Sequence, residues 1–212
     1  MEFIDEASIR LNVPLGCSPI KLAKTEHVDA FFRVGQIQLG TFEYYQKHEN
    51  PQVHDEFEGF CRLIGYSDAF TVLVEASGGA DQYVFCCAMT SNPKLAARRF
   101  GYDAAYEVLD PDGFQRAVSG KLKAIRERRA VCAYADHKAI AGEMNGTFRP
   151  DRISAATIDM LGAAKYFIKP RRFAHQTEYR FLWELDGPVE KPAIIECPEA
   201  VKFCRRMDWS KR

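Results

Sequence analysis

The sequence has no surplus charge of either sign: 29 Lys and Arg balance 29 Asp and Glu, giving a formal net charge of zero. With no global field to recruit nucleic acid or membrane, any electrostatic function has to come from local clustering. There is no apolar run near the roughly 20 residues that span a bilayer. The opening MEFIDEASIRLNV carries acids early and lacks the basic start and apolar core of a signal peptide. CxxC pairs are missing, and the seven cysteines (Cys17, Cys61, Cys86, Cys87, Cys132, Cys197 and Cys204) are odd in number and irregularly spaced. That pattern reads as reduced thiols, mostly buried as small hydrophobes, so a cytoplasmic location without membrane contact is expected. Repeats and tracts rich in Gly, Ser or Pro are lacking too, which predicts a single domain over residues 1–212.

Several standard sites are also missing. Neither GxxxxGK(S/T) nor GxGxxG occurs, which removes the P-loop and the dinucleotide-binding fingerprint. GxSxG and HExxH are absent as well. His48, His54, Asp55 and Glu58 are close in sequence, but their spacing matches no metal-site type; a solvated acidic loop and no metal are expected.

What is present is a mixture of strands and helices without regular alternation. PIKLAK (19–24) reads as a strand, and TEHVDAFFRVG as a helix with Thr25 as N-cap and Gly35 as stop. QIQLGTF alternates as a strand. DAFTVLVEA and DQYVFCCAMT read as strands of a hairpin joined by SGGAD, and NPKLAARRFG as a short helix. AAYEVL is a strand, DPDG a turn, and FQRAVSGKLKAIRERRA a helix with a basic exposed face. VCAYADH, TEYRFLWEL, AIIEC and AVKFC complete the strands, and SAATIDMLGAAKYF is a helix. The fold class expected is α+β, with a mainly antiparallel sheet and flanking helices.

Two segments gather polar side chains. GQIQLGTFEYYQKHENPQVHDEFEG holds a Gly-Thr step, neighbouring Tyr44 and Tyr45, and the acids Asp55, Glu56 and Glu58. It reads either as a surface loop with Asp55 as a cap, or as a pocket wall where a tyrosine stacks on a planar ligand and Gly40 admits close backbone approach. KYFIKPRRFAHQTEYRF sets Lys165, Lys169, Arg171, Arg172, His175 and Arg180 around Glu178. With the cations of 121–129, this clustering suggests a phosphate-bearing partner; a solvated helix face plus loop is the plain alternative. Alternation along 178–185 puts Tyr179, Phe181, Trp183 and Leu185 on one face, and Glu178, Arg180, Leu182 and Glu184 on the other, with Glu178 pointing out of the aromatic core. A carboxylate beside cations stays ionised, so Glu178 is unsuited to general-acid work. It suits stabilisation of positive charge developing on an oxocarbenium-like sugar, or polarisation of a ribose hydroxyl.

The order of these motifs resembles a widespread bacterial and phage family. A strand ending in a basic residue precedes a helix and the pattern G-x-I-x-L-G-T-x-x-Y-Y; then come D-E-F-E-G, YVFCCAMT and a Lys-rich approach to E-Y-R-F. The likeness extends from about residue 19 to 185. It implies an ADP-ribosyltransferase-like fold: a split antiparallel sheet with NAD, as substrate, in the cleft between its halves. It also implies nucleic-acid modification in a toxin or phage-defence setting, with a protein antidote or defence partner. On this resemblance Glu178 is the late-strand catalytic Glu, and Gln176-Thr177-Glu178 is similar to the Q-x-E form of that motif. Thr41, Tyr44 and Tyr45 are candidates for the middle element, and Lys24, with His27 just beyond, stands where the family has an early-strand Arg or His. The basic surroundings, Lys169, Arg171 and Arg172 among them, would bind NAD phosphates and a nucleic-acid acceptor. The competing expectations are a non-enzymatic nucleic-acid-binding or inhibitor protein, and an NAD glycohydrolase.

Overall fold

The computed structural model describes residues 18–66, 68, 70–143 and 162–209. The described chain is α+β, with mostly antiparallel sheets and several helices. It opens with β1 (Ile20–Ala23) and α1 (Thr25–Val34). Lys24, not Thr25, takes the N-cap position of α1; the Thr25 N–H donates instead to Asp103, at 2.7 Å. Gly35 stops α1 in the left-handed region (φ 71°), where a Cβ would also run into the Cys197 backbone. Only glycine fits there. β2 (Gln36–Thr41) and α2 (Phe42–Gln46) follow.

β3 (Phe60–Tyr66) and β4 (Thr71–Ser77) pair with each other, and β5 (Gln82–Ala88) does not join them. The expected hairpin across SGGAD is therefore corrected: that segment carries the chain from one sheet to another. Gly79 (φ 104°) makes this crossing against the Phe42 ring, which a Cβ would meet at 2.3 Å. After α3 (Pro93–Arg99) and β6 (Ala104–Val108), DPDG opens α4 (Pro111–Leu122) where a turn is expected. Asp110 accepts the Gly113 N–H at 2.9 Å, and Pro111 sits in the first turn, where its missing N–H costs nothing.

The long basic helix expected to 130 ends early. Lys123 turns left-handed (φ 55°), and Arg126–Val131 forms β7. Pairing with a central strand outweighs helix propensity in this stretch: Arg128 meets Glu184 at 3.0 Å, and Arg129 pairs with Asp112. β8 (Ala133–Ala135), β9 (Ala139–Glu143), β10 (Ile168–Pro170) and β11 (Glu178–Glu184) follow, then β12 (Ala193–Glu196), α5 (Pro198–Val201) and β13 (Cys204–Arg206). AVKFC is thus helix end, turn and strand start. Most of the expected helix SAATIDMLGAAKYF lies outside the described residues. No helix among those described is long and apolar enough to cross a membrane.

The main sheet runs β12–β2–β5–β1–β6–β13, with β11 and β7 continuing from the other edge of β5. β11 pairs with β5 along its whole length. The opposite edge of β5 is divided: β1 takes Ala88, and β2 takes Val84 and Tyr83. Between them the sheet splits. Phe31, Ile37, Leu39, Phe85, Phe114, Phe181 and Trp183 form the core on one face. The other face of β11 is buried too, with Leu182 packed against Phe42, Val84 and Tyr166. The one-sided reading of this strand is corrected accordingly.

Candidate functional site

β11 begins at a strained turn. Thr177 is left-handed at φ 42°, rare for a β-branched residue, and its carbonyl accepts the Met89 N–H at 2.8 Å. This bond holds Glu178 opposite Ala88, at the end of β5. Glu178 is not a solvated strand end; it is 5% exposed. Its Oε1 accepts from Arg180 Nε at 2.5 Å and its Oε2 from Lys169 Nζ at 2.7 Å.

Arg180 continues inward. Nη1 and Nη2 each donate to Glu58 at 2.8 Å, and Nη1 also reaches the Tyr166 carbonyl at 2.6 Å. Behind Glu58 lies Lys138, whose ammonium donates to the Phe57 carbonyl at 2.5 Å and to Asp55 at 3.3 Å. Two consecutive left-handed residues, His137 and Lys138, turn that side chain inward. The D-E-F-E-G segment is therefore not a solvated acidic loop: Asp55 and Glu58 are fully buried. Three carboxylates (Asp55, Glu58, Glu178) face three cations (Lys138, Lys169, Arg180), a balanced set that lets charge sit inside the fold.

Burial alone would raise the pKa of Glu178, but Arg180 and then Lys169 hold it well below the usual carboxylate range. Glu58 is lowered the same way, with burial opposed by Arg180, Lys169 and Lys138. Both acids are anions at neutral pH. Each oxygen of Glu178 has a second lone pair beyond the bond described, so the carboxylate can still accept from a ligand hydroxyl.

Glu178 faces a chamber of about 120 Å³ lined also by Lys21, Tyr45, Cys86, Tyr102, Lys169 and Gln176. A second space of about 190 Å³ opens where the sheet splits, lined by Lys21, Lys24, His27, Tyr44, Tyr45, His48 and Tyr102 among others and, among the described residues, by no Asp or Glu. Lys21, Tyr45 and Tyr102 belong to both walls. Lys21 projects from β1 into the gap, donates to the Cys86 carbonyl at 3.0 Å and lies 4.2 Å from the centre of the Phe85 ring. One of its three N–H bonds is thereby fixed, leaving an oriented ammonium at the junction of the two spaces. Burial pushes the Cys86 thiol up to about 12, so it is no thiolate nucleophile.

The expected site residues divide between this place and others. Glu178, Gln176 and Tyr45 come together in the chamber, Gln176 fixed by its donation to the Gln52 carbonyl at 2.7 Å. Tyr44 lines the split, its ring edge-on to Tyr45 and His48. Lys24 is exposed at the rim of the split, and Lys21 holds the interior position on the same strand. Thr41 is buried, and its Oγ1 accepts the Tyr44 N–H as cap of α2. Gly40 gives close approach to the Tyr45 ring, not to a ligand; a Cβ there would stand 2.7 Å from Tyr45 Oη. Lys169, expected on a nucleic-acid surface, is turned inward and buried against Glu178. Arg171 and Arg172 are exposed, the first 3.5 Å from Asp136, the second over the Phe173 ring. Lys21 and Lys138 escape sequence reading because nothing local distinguishes them from surface lysines; Glu58 was visible only as one acid of a polar cluster. No protein family, characterised protein or solved structure matches the chain.

Proposed function

We propose that the protein is an ADP-ribosyltransferase that uses NAD and modifies a macromolecule, with nucleic acid as the acceptor class. The observation that carries this reading is the ionised Glu178, fixed by two cations at a chamber that joins a split between strands. Breaking the bond from ribose to nicotinamide builds positive charge on the sugar, and a preorganised anion stabilises it. Glu178 accepts from a ribose hydroxyl and favours the oxocarbenium; Arg180 and Lys169 orient it. Lys21, in place of Lys24, is the early-strand cation that meets the diphosphate, and Tyr44 and Tyr45 offer rings to a planar base. The two spaces together reach only the lower end of the roughly 300–1,000 Å³ typical of ligand pockets. NAD therefore extends along the open split toward Lys24 and His48. An ADP-ribosyltransferase-like fold is part of this reading, supported by the division of β5 between β1 and β2.

Two acid-free stretches support a polyanionic acceptor. Gln82–Tyr102 and Gly162–Thr177 contain no Asp or Glu, carry Lys94, Arg98, Arg99, Arg171 and Arg172, and meet through the Met89–Thr177 bond beside the chamber. A cytoplasmic toxin or phage-defence setting, with a protein antidote or defence partner, completes the proposal; the described cysteines are free thiols. Labelled NAD with total RNA, DNA and protein, beside Glu178→Gln, tests it. Label should enter one polymer class only with the native Glu. Free ADP-ribose alone would make the protein a glycohydrolase, and intact NAD with salt-sensitive polymer binding would leave a binding protein.

A further inference from the structure

β4 is the end strand of the small sheet β4–β3–β9, and among the described residues its outer edge has no strand partner. Its sequence, Thr-Val-Leu-Val-Glu-Ala-Ser, has no Lys, Arg or Pro, and its pairing with β3 is continuous over seven residues. Basic residues, prolines and bulges are devices by which proteins normally blunt an edge against further pairing, and β4 has none of the three. The apolar exposure is concentrated here as well: Leu73 is 58% and Val74 38% exposed, with Tyr66 and Phe70 beside them.

We propose that this edge is an interface between two copies of the chain, paired antiparallel about a two-fold axis at Leu73. The strand is complementary to itself in that register. Leu73 meets Leu73 of the partner, Val72 meets Val74 on both sides, and Thr71 meets Glu75. The single charge is already compensated, because Arg62 donates to Glu75 at 2.9 Å across β3 and β4. Centring the axis on Val74 instead sets Leu73 against Glu75. The Leu73 register joins the two small sheets into one of six strands and covers the exposed Leu73 and Val74. A contact of one strand per copy falls below the roughly 1,200 Å² of standard interfaces, so the dimer is a weak one in the micromolar range. The inference does not depend on the transferase reading.

Sedimentation velocity of the full chain from about 1 to about 300 µM brackets such an affinity. A concentration-dependent dimer is expected. Leu73→Lys, which sets like charges opposite each other, should raise its dissociation constant at least about tenfold. The register is read by Thr71→Lys, which gains an opposite charge across the axis and should tighten the dimer, against Thr71→Glu, which should weaken it. A native chain that stays monomeric over this range overturns the proposal, whether β4 amides exchange freely or are protected by the chain itself. So does a dimer indifferent to both Leu73 and Thr71. Unchanged circular dichroism in the variants separates lost association from lost fold.

Discussion

Arg180 grips Glu58 with both terminal nitrogens at 2.8 Å, although 122 residues separate them in the chain. The same guanidinium fixes Glu178 through Nε. One side chain therefore ties the acidic loop after α2 to the carboxylate at the start of β11. The site exists only when both halves of the chain are in place.

Removing that side chain should be severe. Arg180→Met leaves Glu58 buried and short of its main partner, and is expected to cost about 3–5 kcal/mol in urea unfolding. Glu58→Leu combined with Arg180→Met should recover part of that loss, because no buried charge then lacks its neighbour. A single variant as stable as the native chain would mean that the network is not closed in solution.

Acid should unfold the protein through the same pair of carboxylates. Glu178 and Glu58 have folded-state pKa values below their ordinary 4.5. Their contribution is fully present above 4.5 and is lost as pH falls from there toward the folded values. Unfolding midpoints should thus be flat on this account from neutrality to about 5 and decline below it. Glu178→Gln should shallow that decline, which a pH series of thermal melts would measure.

Gly40→Ala tests the wall of the chamber. The added Cβ would stand 2.7 Å from Tyr45 Oη, so the ring must move away from Cys86. A loss of about 1–3 kcal/mol is expected from overpacking. Gly40→Ala combined with Tyr45→Ala should cost little more than Tyr45→Ala alone, since the clash is gone. If the single change is neutral, Tyr45 is not held as described.

Lys21 and Lys24 lie three residues apart and predict different phenotypes. Lys21→Ala should weaken NAD binding, read by calorimetry, roughly tenfold or more through a lost charge-assisted hydrogen bond. Lys24→Ala, at the exposed rim, should change it much less. Equal effects would move the diphosphate out of the junction between the two spaces.

Periodicity made β1, β2, β4, β5, β6 and β11 legible, and Gly35 and Asn92-Pro93 marked the end of α1 and the start of α3, because these signals act locally. It misled where pairing is remote. SGGAD has hairpin composition, yet its flanking strands enter different sheets, since β5 is claimed by β1, β2 and β11. Arg126–Ala130 reads as part of a helix by propensity and becomes strand because β11 offers an edge. Glu178 was identifiable as an ionised acid among cations, and Arg180 as a residue on its face. Its burial was not, because that depends on Glu58 and Lys169 arriving to balance the charge. Alternation marks which residues share a face of a strand; it does not reveal whether the polar face is also covered.

The division of β5 also bears on how the chain is made. Every strand that pairs with β5 is distant in sequence: Ile20 meets Ala88, Gly40 meets Val84, and Phe181 meets Phe85. Among the described residues no local hairpin nucleates this sheet, so closure of long loops must precede its first rewards, and folding should be slow for the size of the chain. During synthesis β5 emerges well before β11, leaving Val84 and Phe85 uncovered on one side until about ninety further residues have been added. A nascent chain stalled before residue 178 would be the form most in need of a chaperone.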